Sequence, residues 1–265
     1  MCFRRFNETW LHRLNHLHHQ LASAPKPSSK EDQLHLRQLV ERVMNHYEDY
    51  YRVKAHAATL DAFSMFSAPW VTSLEHSLQW IAGWRPTVVF HLIYTESSSR
   101  FQAELIDILR GHRTGDLGDL SPGQLGGVSN LQCETVNEEN EITRELSDWQ
   151  DGVCDIMSSS MGSDVDGKMP RLVKVLEKAD NLRLKTMRRV VDLLTPQQAV
   201  EFLTVTAEME FGIRRWGLEK DRMRVGVQCR LYVCVDHGII IRSSSLVSVS
   251  LVFAFILPPG VRRRW

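Results

Sequence analysis

Phe3-Arg-Arg-Phe-Asn-Glu-Thr-Trp-Leu-His-Arg-Leu-Asn-His-Leu-His-His-Gln-Leu21 sets the reading of the whole chain. Its apolar residues Phe3, Phe6, Trp10, Leu14, Leu17 and Leu21 recur at intervals of three and four, which aligns them on one face of an α-helix. Ala24-Pro25-Lys26-Pro27 closes the segment, because proline lacks an amide hydrogen and clashes with the turn before it. The same period returns downstream, and strand-like alternation is found nowhere in residues 1–224. The expected fold is therefore all-α, a bundle of about seven helices, several of them long, followed by a poorly structured C-terminal tail.

Working outward, Ser28-Ser29-Lys30-Glu31 carries a capping-box pattern. Leu36, Leu39, Val43, Tyr47, Tyr50 and Lys54 continue it as a helix to Thr59 or Phe63, with neither Gly nor Pro before Pro69. Thr72-Ser73-Leu74-Glu75 can cap a short helix through Leu78, Trp80 and Ile81, with Gly83 suited to the left-handed position after it and Pro86 barring continuation. Thr87 is expected to cap Val88–Tyr94, and Phe101, Leu105, Ile108 and Leu109 carry a further stripe. His112–Asp119 reads as loop. Ser121-Pro122-Gly123-Gln124 and Thr195-Pro196-Gln197-Gln198 both place a hydroxyl at the N-cap, proline at N1 and glutamine at N3. Between them, Ile142, Leu146, Trp149, Val153 and Ile156 form a bundle-like seam, and Leu172, Val175, Ala179, Leu182, Val190 and Leu194 form the next stripe. Ala199, Phe202, Leu203 and Trp216 mark the last helix. Residues of about 158–170 read as a flexible linker.

Total charge is balanced, with 32 basic and 32 acidic residues. Its distribution is not. Five arginines and one aspartate fall in residues 225–265, leaving 27 basic and 31 acidic residues in 1–224. A body at −4 argues against tight intrinsic DNA binding. The tail is apolar from Ser243 to Leu257, 15 residues, short of the ~20 that span a membrane. Membrane contact by the tail is not expected, and the domain is expected to end near 224, with 225–265 an atypical tail or a splice-derived end. Five cysteines form no disulfide framework, which places the chain in a reducing compartment. The polar, aromatic N-terminus is unlike a secretory signal.

Phe63-Ser-Met-Phe-Ser-Ala-Pro-Trp70, Leu78-Gln-Trp-Ile-Ala-Gly-Trp-Arg-Pro86, Asp119-Leu-Ser-Pro-Gly-Gln-Leu125, Ala179-Asp-Asn-Leu-Arg183, Leu194-Thr-Pro-Gln-Gln-Ala199 and Trp216-Gly217 together resemble the plant delay-of-germination (seed-dormancy-control) domain. A domain of this kind also forms the C-terminal part of TGA-class bZIP transcription factors. The resemblance runs from about residue 3 to about residue 224. It implies a regulatory, non-enzymatic plant protein of seed dormancy, abscisic acid signalling or transcription control, in the nucleus, the cytoplasm or both. It further implies protein partners, either transcription regulators or type 2C protein phosphatases. Sequence-specific DNA binding in the TGA proteins comes from a bZIP segment, and residues 1–265 contain neither a basic region nor leucine heptads. Some relatives carry two histidines one turn apart before the Trp-Gly pair, a haem-ligating arrangement. Glu210 and Arg214 occupy those places here, so haem is not expected there.

The histidines offer a competing reading. His12, His16 and His19 fall at i, i+4 and i+7 and share a helix face, a spacing that can hold zinc or copper, or support a haem sensor. No carboxylate or cysteine completes the set locally, so a solvated polar face is favoured and no cofactor or metal is expected. Cys229-x4-Cys234-x2-His237 lacks a fourth ligand. Cys133 and Cys154 lie too far apart on one helix to pair. No nucleophile elbow, phosphate loop or metalloprotease helix is present, so no catalytic residue is assigned. Glu134, Glu138, Glu139, Glu141 and Glu145 give one helix an acidic face, and Lys174, Lys178, Arg183, Lys185, Arg188 and Arg189 give the next a basic one. These read first as solvated or mutually paired faces, and second as a docking surface. The basic Leu182–Val191 stretch would then suit a calmodulin-like partner. The Phe63–Trp70 and Trp80–Trp84 aromatics are expected to be core for the most part, and to mark an interface wherever they are exposed together.

Overall fold

A computed structural model describes residues 2–106, 110, 114–158 and 166–235, with the backbone course alone for 155–158, 166 and 225–235. Among the described residues there are eight α-helices, two short 3₁₀ turns and no strand. The helices are α1 (Phe3–Ala22), α2 (Lys30–Leu60), α3 (Ala62–Ser67), α4 (Ser73–Ser77), α5 (Val88–Ala103), α6 (Pro122–Ser158), α7 (Met169–Leu193) and α8 (Pro196–Val235). The 3₁₀ turns are Leu117–Asp119 and Asp166–Lys168. The all-α expectation holds. The described residues divide into two compact units, those up to Trp70 with those of 78–207, and Val71–Ser77 with those of 208–235.

In the first unit, α1 lies on α2 through rings. Phe3 meets Trp70 at 4.4 Å between centroids, and Trp10 meets Tyr50 at 4.6 Å and Tyr47 at 5.4 Å. The Trp10 indole stacks on His46 at 4.9 Å with the rings 5° from parallel, while its Nε1 donates to the His46 carbonyl. His46 Nε2 lies 3.0 Å from the Trp10 carbonyl, which fixes the proton on that nitrogen. Leu14, Leu21, Leu36, Leu39 and Val43 complete this layer. The predicted stripe of α7 is the spine of the core, with Leu172, Val175, Ala179, Leu182 and Val190 all buried.

Helix starts follow local chemistry, with one shift. The cap of α2 is Ser29 rather than Ser28: its hydroxyl accepts the Asp32 amide, while Asp32 accepts the amides of Ser28 and Ser29. A one-residue offset lets the shorter aspartate, not Glu31, close the box. Both S/T-Pro-x-Gln starts form as read: the Gln124 amide donates to Ser121 Oγ and the Gln198 amide to Thr195 Oγ, and each glutamine accepts the amide of its own N-cap. The expected extension of α4 to Ile81 does not form; the helix stops at Ser77. Beyond it the Trp80 amide reaches the Gly83 carbonyl, and Ile81 and Ala82 take the left-handed conformation at φ 46° and 57°. Gly83 is therefore not the left-handed residue. It is required because a β-carbon there would lie 2.8 Å from the Arg183 guanidinium carbon. A β-carbon at Gly127 would come 2.8 Å from Leu193 Cδ2, the end of a half-buried side chain that could move aside.

The Phe101 stripe also departs from expectation. α5 ends at Ala103, Phe101 and Leu105 face solvent, and Ile108 and Leu109 lie outside the described residues. So do residues 159–165 of the expected linker, the Cys229 and Cys234 side chains, His237 and the apolar Ser243–Leu257 run. Among the described residues no helix is long and apolar enough to cross a membrane.

In the second unit, α4 meets the helix from Glu208 on. Thr72 and Glu75 form a reciprocal capping pair, the Ser73 amide donates to Asp221 at 3.0 Å, and Arg214 pairs with Glu75 at 3.4 Å. Gly217 is obligatory here, because a β-carbon would fall 2.1 Å from Thr72 Oγ1. The Trp216-Gly217 pair therefore marks the point of closest approach.

The α1–α2 contact predicts a pH dependence. Burial, aided by Arg13, holds His46 below its ordinary value of 6.5, against the opposing Trp10 carbonyl and Asp49. The folded state thus binds fewer protons than the unfolded one just below pH 6.5, so stability falls as pH drops through this window. Thermal melts between pH 7.5 and 5.5 should show Tm declining in the native chain, and a shallower decline in His46→Gln. Equal slopes would mean that the Trp10–His46 stack does not control the docking of α1.

Candidate interaction surface and the polar staples behind it

Three of the charged side chains buried in the first unit form one cluster: Lys54 from α2, and Asp180 and Arg183 from α7. One carboxylate oxygen, Asp180 Oδ1, accepts from Lys54 Nζ at 2.9 Å and from Arg183 Nη1 at 2.5 Å. Two cations against one anion leave the cluster short of negative charge, and backbone carbonyls supply the remainder. Lys54 donates to the Ala82 carbonyl at 2.8 Å. Arg183 donates through Nε to the Trp84 carbonyl at 2.7 Å, through Nη2 to the Ile81 carbonyl at 3.0 Å, and through the same nitrogen to the Trp80 carbonyl. The guanidinium also lies 5.3 Å from the Trp80 ring centre. Only the left-handed turn at Ile81 and Ala82 aims these carbonyls at the cations. That turn costs roughly 1–2 kcal/mol per residue, which the charge-assisted bonds offset. Burial, reinforced by Arg183, holds the Lys54 ammonium below its ordinary value, and Asp180 opposes that shift.

The loop is fixed at its other end by Glu139, a fully buried carboxylate of α6. It accepts from Arg85 Nε at 2.7 Å, from the Thr87 amide at 2.7 Å and from Thr87 Oγ1 at 3.3 Å. Thr87 therefore does not cap α5 with its side chain. Trp80 Nε1 donates to Thr143 and Trp84 Nε1 to the Tyr51 hydroxyl.

A second staple joins the two capping glutamines. Gln124 Nε2 donates to Gln198 Oε1 at 2.7 Å and to the Leu193 carbonyl at 3.0 Å. Gln198 Nε2 donates to the Asp116 carbonyl at 3.0 Å. Glu201 accepts the Leu117 amide at 3.0 Å and pairs with Arg100 at 3.3 Å, and burial pushes its carboxyl above the usual range. Each capping box thus closes its own helix and one side of the other.

The acidic and basic faces read from the sequence meet each other. Along antiparallel α6 and α7, Lys178 pairs with Glu145 at 2.6 Å, Lys185 with Glu138 at 2.6 Å, Arg171 with Asp148 at 3.5 Å and Arg189 with Glu134. Arg188 turns instead to Glu48 and Glu41 of α2. Glu139 and Arg183 do not belong to these faces, being interior. The Leu182–Val191 stretch does not offer a calmodulin-like partner a free face, since Leu182, Arg183, Thr186, Met187 and Val190 are all buried.

His12, His16 and His19 are exposed along α1, with His16 Nδ1 3.0 Å from Gln20 Nε2. Among the described residues no group of three or more His, Cys, Asp or Glu is arranged to hold a metal ion. Arg214 is engaged by Glu75. Cys133 and Cys154 are exposed and unpaired as thiols.

The aromatics divide. Trp70 is core, while Trp80 and Trp84 are half-buried in the stapled loop. Phe63 is 50% exposed and Leu60 76%. The Phe63 and Phe66 rings lie over buried Trp149, at 6.4 and 6.5 Å between centroids. Trp149 spends its indole N–H on the Lys168 carbonyl at 3.0 Å. The two rings make an apolar surface between α3 and α6.

These features describe a helical scaffold in which interior charged groups hold backbone. Comparison with known proteins is consistent with that class. Residues 13–95 match the family described as seed dormancy control. The chain is 29% identical over 230 residues to Protein DOG1-like 4 of Arabidopsis thaliana, covering 81% of this chain and 91% of that protein. It is 26% identical over 220 residues to Transcription factor TGA2.3 of Oryza sativa subsp. japonica, and 27% identical over 218 residues to Transcription factor TGA2 of Arabidopsis thaliana. Each of these two matches covers 77% of this chain, but only 60% and 59% of the respective factor. The resemblance carried by the sequence blocks is borne out: the chain is related to the delay-of-germination (seed-dormancy-control) family and to the TGA transcription factors.

Breaking the first staple should be costly. Asp180→Asn leaves two interior cations without their anion and is expected to destabilise by about 3–5 kcal/mol, against about 0–1 kcal/mol for Lys185→Ala at the surface. Urea unfolding of the two variants checks this. Equal losses would contradict the assignment of Asp180 as the anchor.

Proposed function

We propose that this chain is a non-catalytic regulator in the control of seed dormancy or transcription, and that it works by binding other proteins. Its relatives are seed-dormancy-control proteins and transcription factors by name, which supports the regulatory half of this reading. The observation that carries the binding half is exposed apolar surface: Leu60 and Phe63, the latter over the Trp149 ring, are left in water. Transcription regulators and type 2C protein phosphatases are the partners implied by the resemblance, and the nucleus is the compartment that the TGA relatives favour. The working module is residues 1–224, with 225–265 an appendage. His12, His16 and His19 are assigned a solvated face and no cofactor.

DNA association is the second reading, favoured by the TGA relatives. It is opposed by the −4 balance of residues 1–224. Affinity capture with the full chain from plant nuclear extract should enrich a transcription regulator or a type 2C phosphatase. Enrichment of neither, together with salt-sensitive binding of TGA-type DNA elements, would replace the protein-binding reading. Elemental analysis of the purified chain should find no stoichiometric metal, and one tightly held zinc lost in His12→Ala/His16→Ala would overturn the assignment of the histidines.

A further inference from the structure

We propose that the outward face of α1 and α2 around Arg13 and Arg42 is the seat of an acidic segment of a protein partner. This rests on the partner-binding reading and names the chemistry of the partner. An open cavity of about 460 Å³ lies along α2, lined by His35, Gln38, Glu41, Arg42 and Asn45. These positions recur at intervals of three and four, which puts them on one face of the helix, opposite buried Leu36, Leu39, Val43 and Met44. None of the five is apolar, and four carry N–H donors: a guanidinium, two primary amides and an imidazole. An ionised carboxylate only accepts hydrogen bonds, so a segment bearing Asp or Glu fits this lining, whereas an apolar helix gains little from it.

Charge selects the occupant. Residues 3–60, which include both helices, hold nine Lys or Arg against six Asp or Glu, whereas residues 61–224 hold 18 against 25. The carboxylates of this face are already engaged. Asp49 pairs with Arg52, Glu48 with Arg188 at 2.6 Å, and Glu41, the one carboxylate of the lining, with Arg188 at 3.6 Å. Asp32 is spent on the cap of α2, Glu31 follows Lys30, and Glu8 lies one turn from Arg5. Arg42 and Arg13 are exposed and, among the described residues, hold no carboxylate. Arg13 belongs to the same surface, because it acts on the ring of His46, the residue that follows Asn45. Two guanidinium forks thus face water unspent. A long nucleic acid would meet the acidic remainder of the body as well as this face, and a second copy seated symmetrically would set arginine against arginine. A short acidic segment meets neither obstacle.

The test uses the full chain and a fluorescein-labelled Glu/Ala peptide of about four helical turns, with a Lys/Ala peptide of the same pattern and a short labelled DNA duplex as its counterparts. Fluorescence anisotropy at low salt should show the Glu/Ala peptide binding the native chain and the Lys/Ala peptide binding at least about tenfold more weakly. Arg13→Gln/Arg42→Gln should weaken the Glu/Ala peptide by about tenfold and flatten its salt dependence. Arg144→Gln/Lys174→Gln, which removes two exposed cations from α6 and α7, should change nothing. All four side chains are exposed, so both double variants should melt with the native chain. Equal binding by the two peptides would overturn the proposal, as would equal losses in the two double variants, because charge in general and not this seat would then hold the peptide. So would a DNA duplex that binds more tightly than the Glu/Ala peptide and is released by Arg13→Gln/Arg42→Gln, or sedimentation showing a native dimer that the same variant dissociates. If the native chain and Arg13→Gln/Arg42→Gln capture the same nuclear proteins, the partner-binding reading stands and this seat alone falls.

Discussion

The carboxylate of Asp180 is the constraint on which the first unit depends. It lies between Lys54 and Arg183, and removing both cations from water is tolerable only because this anion and a set of loop carbonyls surround them. The carbonyls can face inward only if Ile81 and Ala82 adopt left-handed backbone, and the guanidinium can approach only if residue 83 has no side chain. A loop with little regular structure is thus held from the interior of two helices. The adjoining Arg85-Pro86-Thr87 segment is in turn fixed by Glu139. The blocks Leu78–Pro86 and Ala179–Arg183, distant in sequence, are two halves of one device.

The same logic explains the remaining blocks. Gln124 and Gln198 each cap a helix and then bond to each other, so the Asp119–Leu125 and Leu194–Ala199 blocks meet in one staple. In the second unit Trp216-Gly217 admits Thr72. Residues that make the family recognisable are therefore largely those that place backbone. Phe63 of the Phe63–Trp70 block is an exception, half exposed over the Trp149 ring.

Much of the fold could be read from the sequence, because helices advertise themselves through period and caps. Phe3, Trp10, Leu14 and Leu21 lie where the stripe put them, and both S/T-Pro-x-Gln starts form as written. The early end of α4 was not legible, since its cause is Arg183, about a hundred positions away, pulling Trp80, Ile81 and Trp84 out of helical geometry. The interior charges were legible in part. Lys54 falls in the apolar series of α2, and Glu139 lies three residues before Ile142 in the seam of α6, so each is a charge in a core position. Counting Glu139 and Arg183 with the charged faces ignored that register. The pairing of the remaining acidic and basic residues could not be settled by composition, since a solvated face and a zipper between neighbours share the same pattern until the helices are placed side by side.

Native-state hydrogen exchange at the Trp80 and Thr87 backbone amides tests the account most directly. Both lie outside regular helix, and they donate to the Gly83 carbonyl and to Glu139. If the interior charges lock this loop to α2, α6 and α7, the two amides should exchange only through global unfolding, as slowly as the amides of Leu176 and Leu182 in the core helix. Exchange through a local opening, orders of magnitude faster than that of the α7 amides, would show that the loop is not held from within.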